Sequence, residues 1–144
     1  MEKKIKLNWG HFILLISFSS IICFAMRDTF IKNEIEKNGK EIIVKFTLKD
    51  KQPKITSFYF AYFINGKKIS SANSGINYSI SNSETETRSI DNLKINAFYL
   101  AKSISKYPTI IIVNPLKQVT DTIAILKAGF SREEIIRLKF SRMN

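Results

Sequence analysis

The side chains best suited to act as nucleophiles, general bases or soft metal ligands are almost absent from this sequence. It has one histidine, His11, and one cysteine, Cys23, and both fall in an uncharged stretch near the start. Serine and cysteine nucleophiles usually need a histidine base, and zinc sites are built mainly from cysteine and histidine. We therefore predict neither kind of site in the rest of the chain.

Paired carboxylates are the remaining candidates for acid–base chemistry. Glu84 and Glu86 stand in a polar stretch, and Glu133 and Glu134 follow a serine at the predicted start of a helix. Solvation explains the first pair and helix capping the second. The five glycines are scattered singly, so the sequence contains no glycine-rich phosphate loop. We predict that the protein is not an enzyme and has no cofactor and no metal.

An aromatic-rich segment followed by two lysines is the best candidate for a binding surface. Residues 58–63 read Phe-Tyr-Phe-Ala-Tyr-Phe, and Lys67 and Lys68 follow. Exposed aromatic rings beside lysines can stack on bases or sugars. The candidate surface consists of Tyr59, Tyr62 and these two lysines. The alternative is that the aromatic side chains fill the core of a small domain.

Positive charge dominates the chain. Its 23 Lys and Arg against 12 Asp and Glu give a net charge of +11, and beyond residue 26 the counts are 20 and 11, or +9. Such a surface favours anionic partners, although lysine also serves simply as a solubilising residue. The predicted partners are a lipid bilayer and an anionic lipid or protein, and nucleic acid is expected only if the domain is cytoplasmic.

The uncharged stretch 9–26 determines where the rest of the chain can lie. As a helix, its 18 residues reach about 27 Å, close to the roughly 30 Å of a bilayer's hydrocarbon core. Charges flank it on both sides, with Lys3, Lys4 and Lys6 before it and Arg27 after it. We interpret it as a transmembrane helix or signal anchor.

Other interpretations of this stretch are open. A cleaved signal peptide fits the basic start and the small residues Cys23 and Ala25, although the apolar centre is longer than the usual 7–15 residues. A helix buried in a soluble core fits less well, because the stretch is apolar all round. Lipidation at Cys23 is disfavoured because the preceding Ile22 is bulky.

Membrane orientation follows from the flanking cations. The lysines of the N-terminal tail are concentrated within a few residues, which favours a cytoplasmic tail and a non-cytoplasmic domain, periplasmic in an envelope with two membranes. The two flanks carry nearly equal numbers of cations, so the reverse orientation is the alternative. In that case the domain would be a basic cytoplasmic module tethered to the membrane.

Alternating apolar and polar residues predict a mainly β domain. Residues 41–49 form the clearest strand, with Ile42, Val44, Phe46 and Leu48 on its buried face. The aromatic segment 55–64 is predicted to be a central strand, and Asn65-Gly66 predicts a tight hairpin into 67–71. Further strands are predicted at 76–80, 93–104 (or a short helix there), 109–113 and 119–126, with a mobile loop at 82–89.

The predicted fold is an N-terminal transmembrane helix followed by a small antiparallel sheet, either a sandwich or an open barrel, and a short C-terminal helix. Ser131 and Glu134 form the capping box that starts this last helix. The predicted segments are a basic tail 1–8, the membrane helix 9–26, a helical stalk 27–40, the β-rich domain 41–130, and a C-terminal helix and tail 131–144.

Three stretches of the domain carry a resemblance. They are the hairpin 60–68 (Phe-Ala-Tyr-Phe-Ile-Asn-Gly-Lys-Lys), the strand 98–105 (Phe-Tyr-Leu-Ala-Lys-Ser-Ile-Ser) and the strand 108–115 followed by Val119. Their order is similar to a pattern in small bacterial membrane-anchored proteins with a short β-rich soluble domain. The resemblance implies that architecture and carries no activity or functional residues. Gln118 departs from it, since the pattern has a proline there.

Overall fold

A computed structural model describes residues 9–140, so the predicted tail 1–8 and residues 141–144 lie outside the described part. An N-terminal apolar helix precedes a five-stranded antiparallel sheet and short C-terminal helices, which confirms the predicted fold class. The elements are α1 (Trp9–Asn38), β1 (Lys40–Lys51), β2 (Thr56–Ile64), β3 (Lys67–Ser71), α2 (Glu84–Asp91), β4 (Phe98–Ser103), β5 (Ile111–Val119), α3 (Thr122–Lys127) and α4 (Arg132–Phe140).

Helix α1 is one continuous element with two different environments. Its first part exposes large apolar side chains from Trp9 to Phe30 and is long and apolar enough to cross a membrane. Its last two turns bury Ile31 and Ile35, and this end contacts β4 and β5. Residues 27–38 of the predicted stalk are therefore helical, and the buried isoleucines of this part pack against the folded domain.

Gly39 ends α1, and its φ lies outside the left-handed range that often ends helices. The Gly39 N–H instead donates to the Ile35 carbonyl at 2.8 Å, and a Cβ on Gly39 would lie 2.2 Å from that oxygen. Glycine is needed here because the backbone passes too close to the last helical turn for any side chain.

The strand order is β3-β2-β1-β4-β5, and every neighbouring pair is antiparallel. The aromatic strand β2 is interior to the sheet, as predicted, while β1 occupies the centre. Asn65 and Gly66 connect β2 to β3 with φ of 51° and 74°. Positive φ at both central residues is the geometry of the predicted tight hairpin.

One face of the sheet carries the larger core. Phe58, Phe60 and Tyr62 of β2 are fully buried there, together with Val44 and Phe46 of β1. Segment 72–97, including α2, covers this face with Ile76, Ile90, Leu93 and Ala97. Core packing is therefore the role of these three aromatic side chains.

A β-bulge at Thr47 overturns part of the predicted pattern of β1. The β1–β2 register shifts between Phe46 and Leu48, which reverses the facing of every later side chain. Leu48, predicted to be buried, is 51% exposed. Lys49 faces the aromatic side instead, with Nζ 5.5 Å from the Phe58 ring centroid.

The other face of the sheet is covered by α3 and α4, of which the sequence analysis predicted only α4. Phe98, Ile125, Phe130 and Ile135 form a second core, with Ile43 and Phe63 packed against it. The predicted strand 119–126 is wrong, because residues 122–127 are α3. The Asp121 side chain caps this helix by accepting from the Ile123 N–H at 2.9 Å.

Two further secondary-structure predictions are wrong. The expected loop 82–89 contains α2, and residues 76–80 are not a strand. Ser83 and Glu86 form a capping box, with the Glu86 N–H donating to Ser83 Oγ at 3.2 Å and the Ser83 N–H donating to Glu86 Oε2 at 2.8 Å. The motif Ser-x-x-Glu at residues 83–86 would have predicted the start of this helix.

The remaining secondary-structure predictions agree with the structure. Ser131 and Glu134 form the predicted capping box of α4, with the Glu134 N–H donating to Ser131 Oγ at 3.3 Å. β4 confirms a strand within 93–104, and the helix alternative is wrong. β5 begins near the predicted strand 109–113 and continues past Pro115, which an edge strand with a register shift can accommodate.

Candidate functional site

The chemically versatile residues identified in the sequence lie away from the folded domain. His11 and Cys23 are exposed on the first part of α1. Among residues 9–140, no group of three or more His, Cys, Asp and Glu side chains is placed to hold a metal ion. The candidate sites in this part of the chain are therefore surfaces and grooves.

Tyr62, predicted to line a binding surface, belongs to the core. Its side chain is fully buried, and its hydroxyl donates to the Pro108 carbonyl at 2.6 Å. Burial raises the pKa of Tyr62 to about 12, and a hydrogen bond with Ser71 opposes the shift. This tyrosine ties the β4–β5 loop to the sheet and is not available to a partner.

Lys68, also predicted to bind a partner, contacts the C-terminal helix. Its Nζ donates to Glu134 Oε1 at 2.7 Å and lies 5.7 Å from the Phe63 ring centroid. The buried Lys45 Nζ is 4.0 Å from the same oxygen. The two lysines and the carboxylate therefore join β1, β3 and α4.

The pKa of Glu134 depends on two opposing effects, burial of the carboxyl group and its contacts with hydrogen-bond donors and positive charges. Burial by itself raises the pKa of the carboxyl group. The hydrogen bonds from Lys68 and from the Ser131 N–H, together with the positive charges of Lys68 and Lys45, outweigh burial. The net pKa is lowered, so Glu134 is an anion in the folded protein at neutral pH.

Tyr59 and Lys67 are the other two residues of the predicted surface. They do not form one surface with Tyr62 and Lys68. Tyr59 is half-buried in β2, and its carbonyl accepts from Thr47 Oγ1 at 3.0 Å. Lys67 is exposed at the start of β3. Because Tyr62 enters the core and Lys68 faces α4, the four residues do not form one continuous surface.

The junction between α1 and the sheet contains a groove of about 560 Å³. Its lining comes from α1, β1, β4 and β5, and its polar members are Glu36, Glu41, Lys102, Asn114 and Lys117. Lys102 Nζ donates to the Glu36 carbonyl at 2.7 Å and so fixes the end of α1 beside β4. Groups of both charges thus flank the exposed backbone of an edge strand.

A second cleft, of about 400 Å³, adjoins this groove and shares Glu41 and Leu100 with it. It extends to Phe63 and to Lys127 at the end of α3. Together the two clefts follow the sheet face between α1 and α3, and we call them the junction groove. Sequence reasoning missed it, because residues from six separate elements contribute and no local pattern marks them.

The β4–β5 loop provides a further contact between domain and helix. Lys106 Nζ lies 3.7 Å from Glu34 Oε1 and 5.0 Å from the Tyr107 ring centroid. A hydrogen bond with Tyr107 and the negative charge of Glu34 raise the pKa of Lys106. The loop is thereby held beside the part of α1 that follows its apolar stretch.

A cluster at the far end of β1 has a structural explanation. Lys49 Nζ donates to the Tyr78 hydroxyl at 2.9 Å, and that hydroxyl donates to Asp91. The Tyr78 ring also packs against Phe58, with centroids 5.6 Å apart. These contacts fasten segment 72–83 to β1 and to the end of α2.

No protein-family model, curated protein or solved structure matches this chain. The sequence resemblance to small membrane-anchored proteins therefore gains no support from these comparisons.

Proposed function

We propose that this chain is a single-pass membrane protein whose small β domain stands at the bilayer surface, on the non-cytoplasmic side, and binds a partner there. The role is binding or structural and not enzymatic. The junction groove is the proposed binding surface, because it combines apolar floor residues such as Leu100 and Ile112 with lysines and glutamates at its margins.

The continuity of α1 is the observation that carries this proposal. The apolar first part of α1 packs against no part of the domain and is unfavourable in water, since each of its exposed side chains forgoes burial. Insertion of the first part into lipid removes that penalty. Because Ile31 and Ile35 are buried in the domain, the inserted helix and the domain are joined without an intervening linker.

Alkaline extraction of membranes from cells expressing the full chain tests the anchor. We expect the protein to stay in the membrane pellet. Leu15→Arg should reduce this retention, because a charged residue at mid-span costs about 2.5–3.5 kcal/mol. The matched control is Ile123→Arg, a substitution at another exposed apolar position, on α3, which should leave retention unchanged. Full extraction of the unaltered protein would overturn the proposal.

Protease added to intact spheroplasts tests the orientation. We expect the domain to be digested from outside without lysis. Digestion only after lysis would instead support a cytoplasmic basic domain tethered to the membrane. Mass spectrometry of the mature N-terminus separates the third possibility, because a chain that starts at Met26 or later has been cleaved and released.

A further inference from the structure

One face of α1 leads directly from the apolar stretch to the β4–β5 loop. Arg27, Phe30 and Glu34 are spaced i, i+3 and i+7, so they share this face. Phe30 is 66% exposed, and Glu34 contacts Lys106 of the loop. The Arg27 cation and the exposed Phe30 ring therefore lie between the apolar stretch of α1 and the β4–β5 loop.

The height of this loop above the hydrocarbon core follows from helix geometry. Glu34 is eight residues beyond Met26, or about 12 Å along the axis. Helical side chains lean towards the N-terminus, so the Glu34 carboxylate, and with it Lys106, lies nearer the membrane than that. A headgroup layer about 5–8 Å thick, with a screening length of about 8 Å beyond it, reaches this level.

The side chains at this level have the chemistry of a lipid interface. Lysine keeps its charged end in the polar layer, tyrosine places its ring at the headgroup level, and an exposed phenylalanine buries its ring at the boundary of headgroups and acyl chains. Asp28, the nearest carboxylate on the helix, is paired with Lys32 at 2.8 Å. Glu34 is paired with Lys106 at 3.7 Å. The cations Arg27, Lys32 and Lys106 therefore outnumber the carboxylates Asp28 and Glu34 at this level by three to two, which leaves a net positive charge for anionic headgroups.

We propose that Arg27, Phe30, Lys106 and Tyr107 form one surface on this face of α1, which we call the collar. The collar binds anionic phospholipid headgroups and so fixes the orientation of the domain on the bilayer. The inference rests on the proposed function, since it requires α1 to be inserted. The collar is a second membrane contact, made by the folded domain itself in addition to the helix.

Site-specific fluorescence on the full chain in nanodiscs tests this inference. Cys23→Ser removes the native thiol, and Ser105→Cys then places an environment-sensitive dye beside Lys106 and Tyr107 while leaving both intact. Lys54→Cys, in the exposed turn after β1 and about 36 Å along that strand from its start, is the control position. The quencher is a nitroxide on the lipid headgroup.

We expect strong quenching at position 105 and little at position 54. Quenching at 105 should be greater in equal parts phosphatidylglycerol and phosphatidylcholine than in phosphatidylcholine alone. Lys106→Gln should lower the equilibrium constant for docking about fivefold in the anionic discs. Lys54→Gln removes an equal charge elsewhere and should leave it unchanged. Lys106 also contacts Glu34, so circular dichroism of both variants checks that the fold is retained.

The outcomes separate this inference from the proposed function. Absent quenching at 105 in a protein that resists alkaline extraction would overturn the collar and leave the anchor standing. Equal quenching at 105 and 54, or quenching insensitive to phosphatidylglycerol and to Lys106→Gln, would also overturn it. A protein that fails to insert into the discs overturns both.

Discussion

Glu134 shows how a single carboxylate can have two partners of unequal importance. Lys68 is the closer partner, at 2.7 Å, but half of its side chain is exposed. Lys45 is 4.0 Å away, yet its side chain is only 7% exposed. Charge pairs in water contribute little to stability, whereas a buried ammonium that loses an anion is costly. The longer contact is therefore expected to matter more.

Glu134→Gln should lower the free energy of unfolding of the domain by about 2 kcal/mol, because the buried Lys45 loses a nearby negative charge. Lys68→Gln, the control, should cost less than about 1 kcal/mol. Urea unfolding of the full chain in micelles, followed by near-UV circular dichroism, measures both. A larger loss for Lys68→Gln than for Glu134→Gln would contradict this ranking.

The pH dependence of the same variant has a definite sign. The folded-state pKa of Glu134 is lowered, so its contribution is present above the unfolded-state pKa and is lost as the pH falls through the folded-state value. The stability difference between the unaltered protein and Glu134→Gln should be largest near neutral pH and shrink progressively below pH 4.5. A difference that grows on acidification would contradict this assignment.

At the scale of secondary-structure elements, a single glycine between α3 and α4 determines how these helices cover the sheet. Gly129 lies between α3 and α4 with φ of 102°, where a turn sends α4 back across the sheet. A Cβ at this position would lie 2.9 Å from Phe63 Cγ. That ring packs edge-on against Phe130, with centroids 5.2 Å apart. The glycine therefore permits both the turn and the close approach of α4.

Gly129→Ala should destabilise the domain by about 3 kcal/mol, from positive-φ strain together with displacement of the Phe63 ring. Gly66→Ala is the matched control, because Gly66 also has a positive φ but its Cβ would meet no atom within 4 Å. It should cost only the strain, about 1 kcal/mol. Urea unfolding of both variants provides the comparison, and equal losses would mean that the contact with Phe63 is unimportant.

At the scale of the whole molecule, α1 acts as a rigid support for the domain. Ile35 is fully buried, and Lys102 and Lys106 hold the neighbouring turns through Glu36 and Glu34. A flexible linker would let the domain rotate freely relative to the apolar first part of α1. These contacts instead give the junction groove and the β4–β5 loop a fixed position relative to that part of the helix.

Ile35→Ala should lower the stability of the domain by about 3 kcal/mol, through lost burial and the cavity that remains. Ile22→Ala makes the same chemical change in the exposed first part of α1 and should leave the unfolding of the domain unaltered. Denaturation in micelles, monitored by the near-UV signal of the tyrosines, compares the two variants. Equal effects would show that the last turns of α1 do not belong to the folded domain.

Local sequence patterns determined much of this architecture. The apolar stretch of α1, the Asn65-Gly66 hairpin and the capping box at Ser131 each depend on neighbouring residues alone, and each has the predicted structure. The same logic could have found α2 from Ser83 and Glu86. The polar composition of residues 82–89 instead predicts a mobile loop, and the structure shows that the capping signal is the better guide.

The tertiary structure alone decided which face each side chain takes and which surfaces are free. The bulge at Thr47 turns Leu48 outward, and long-range packing draws Tyr62 inward and Lys68 onto α4. These outcomes depend on contacts between residues far apart in the chain, and composition and spacing do not encode such contacts locally. For the same physical reason, the junction groove exists only once α1 lies beside the folded sheet.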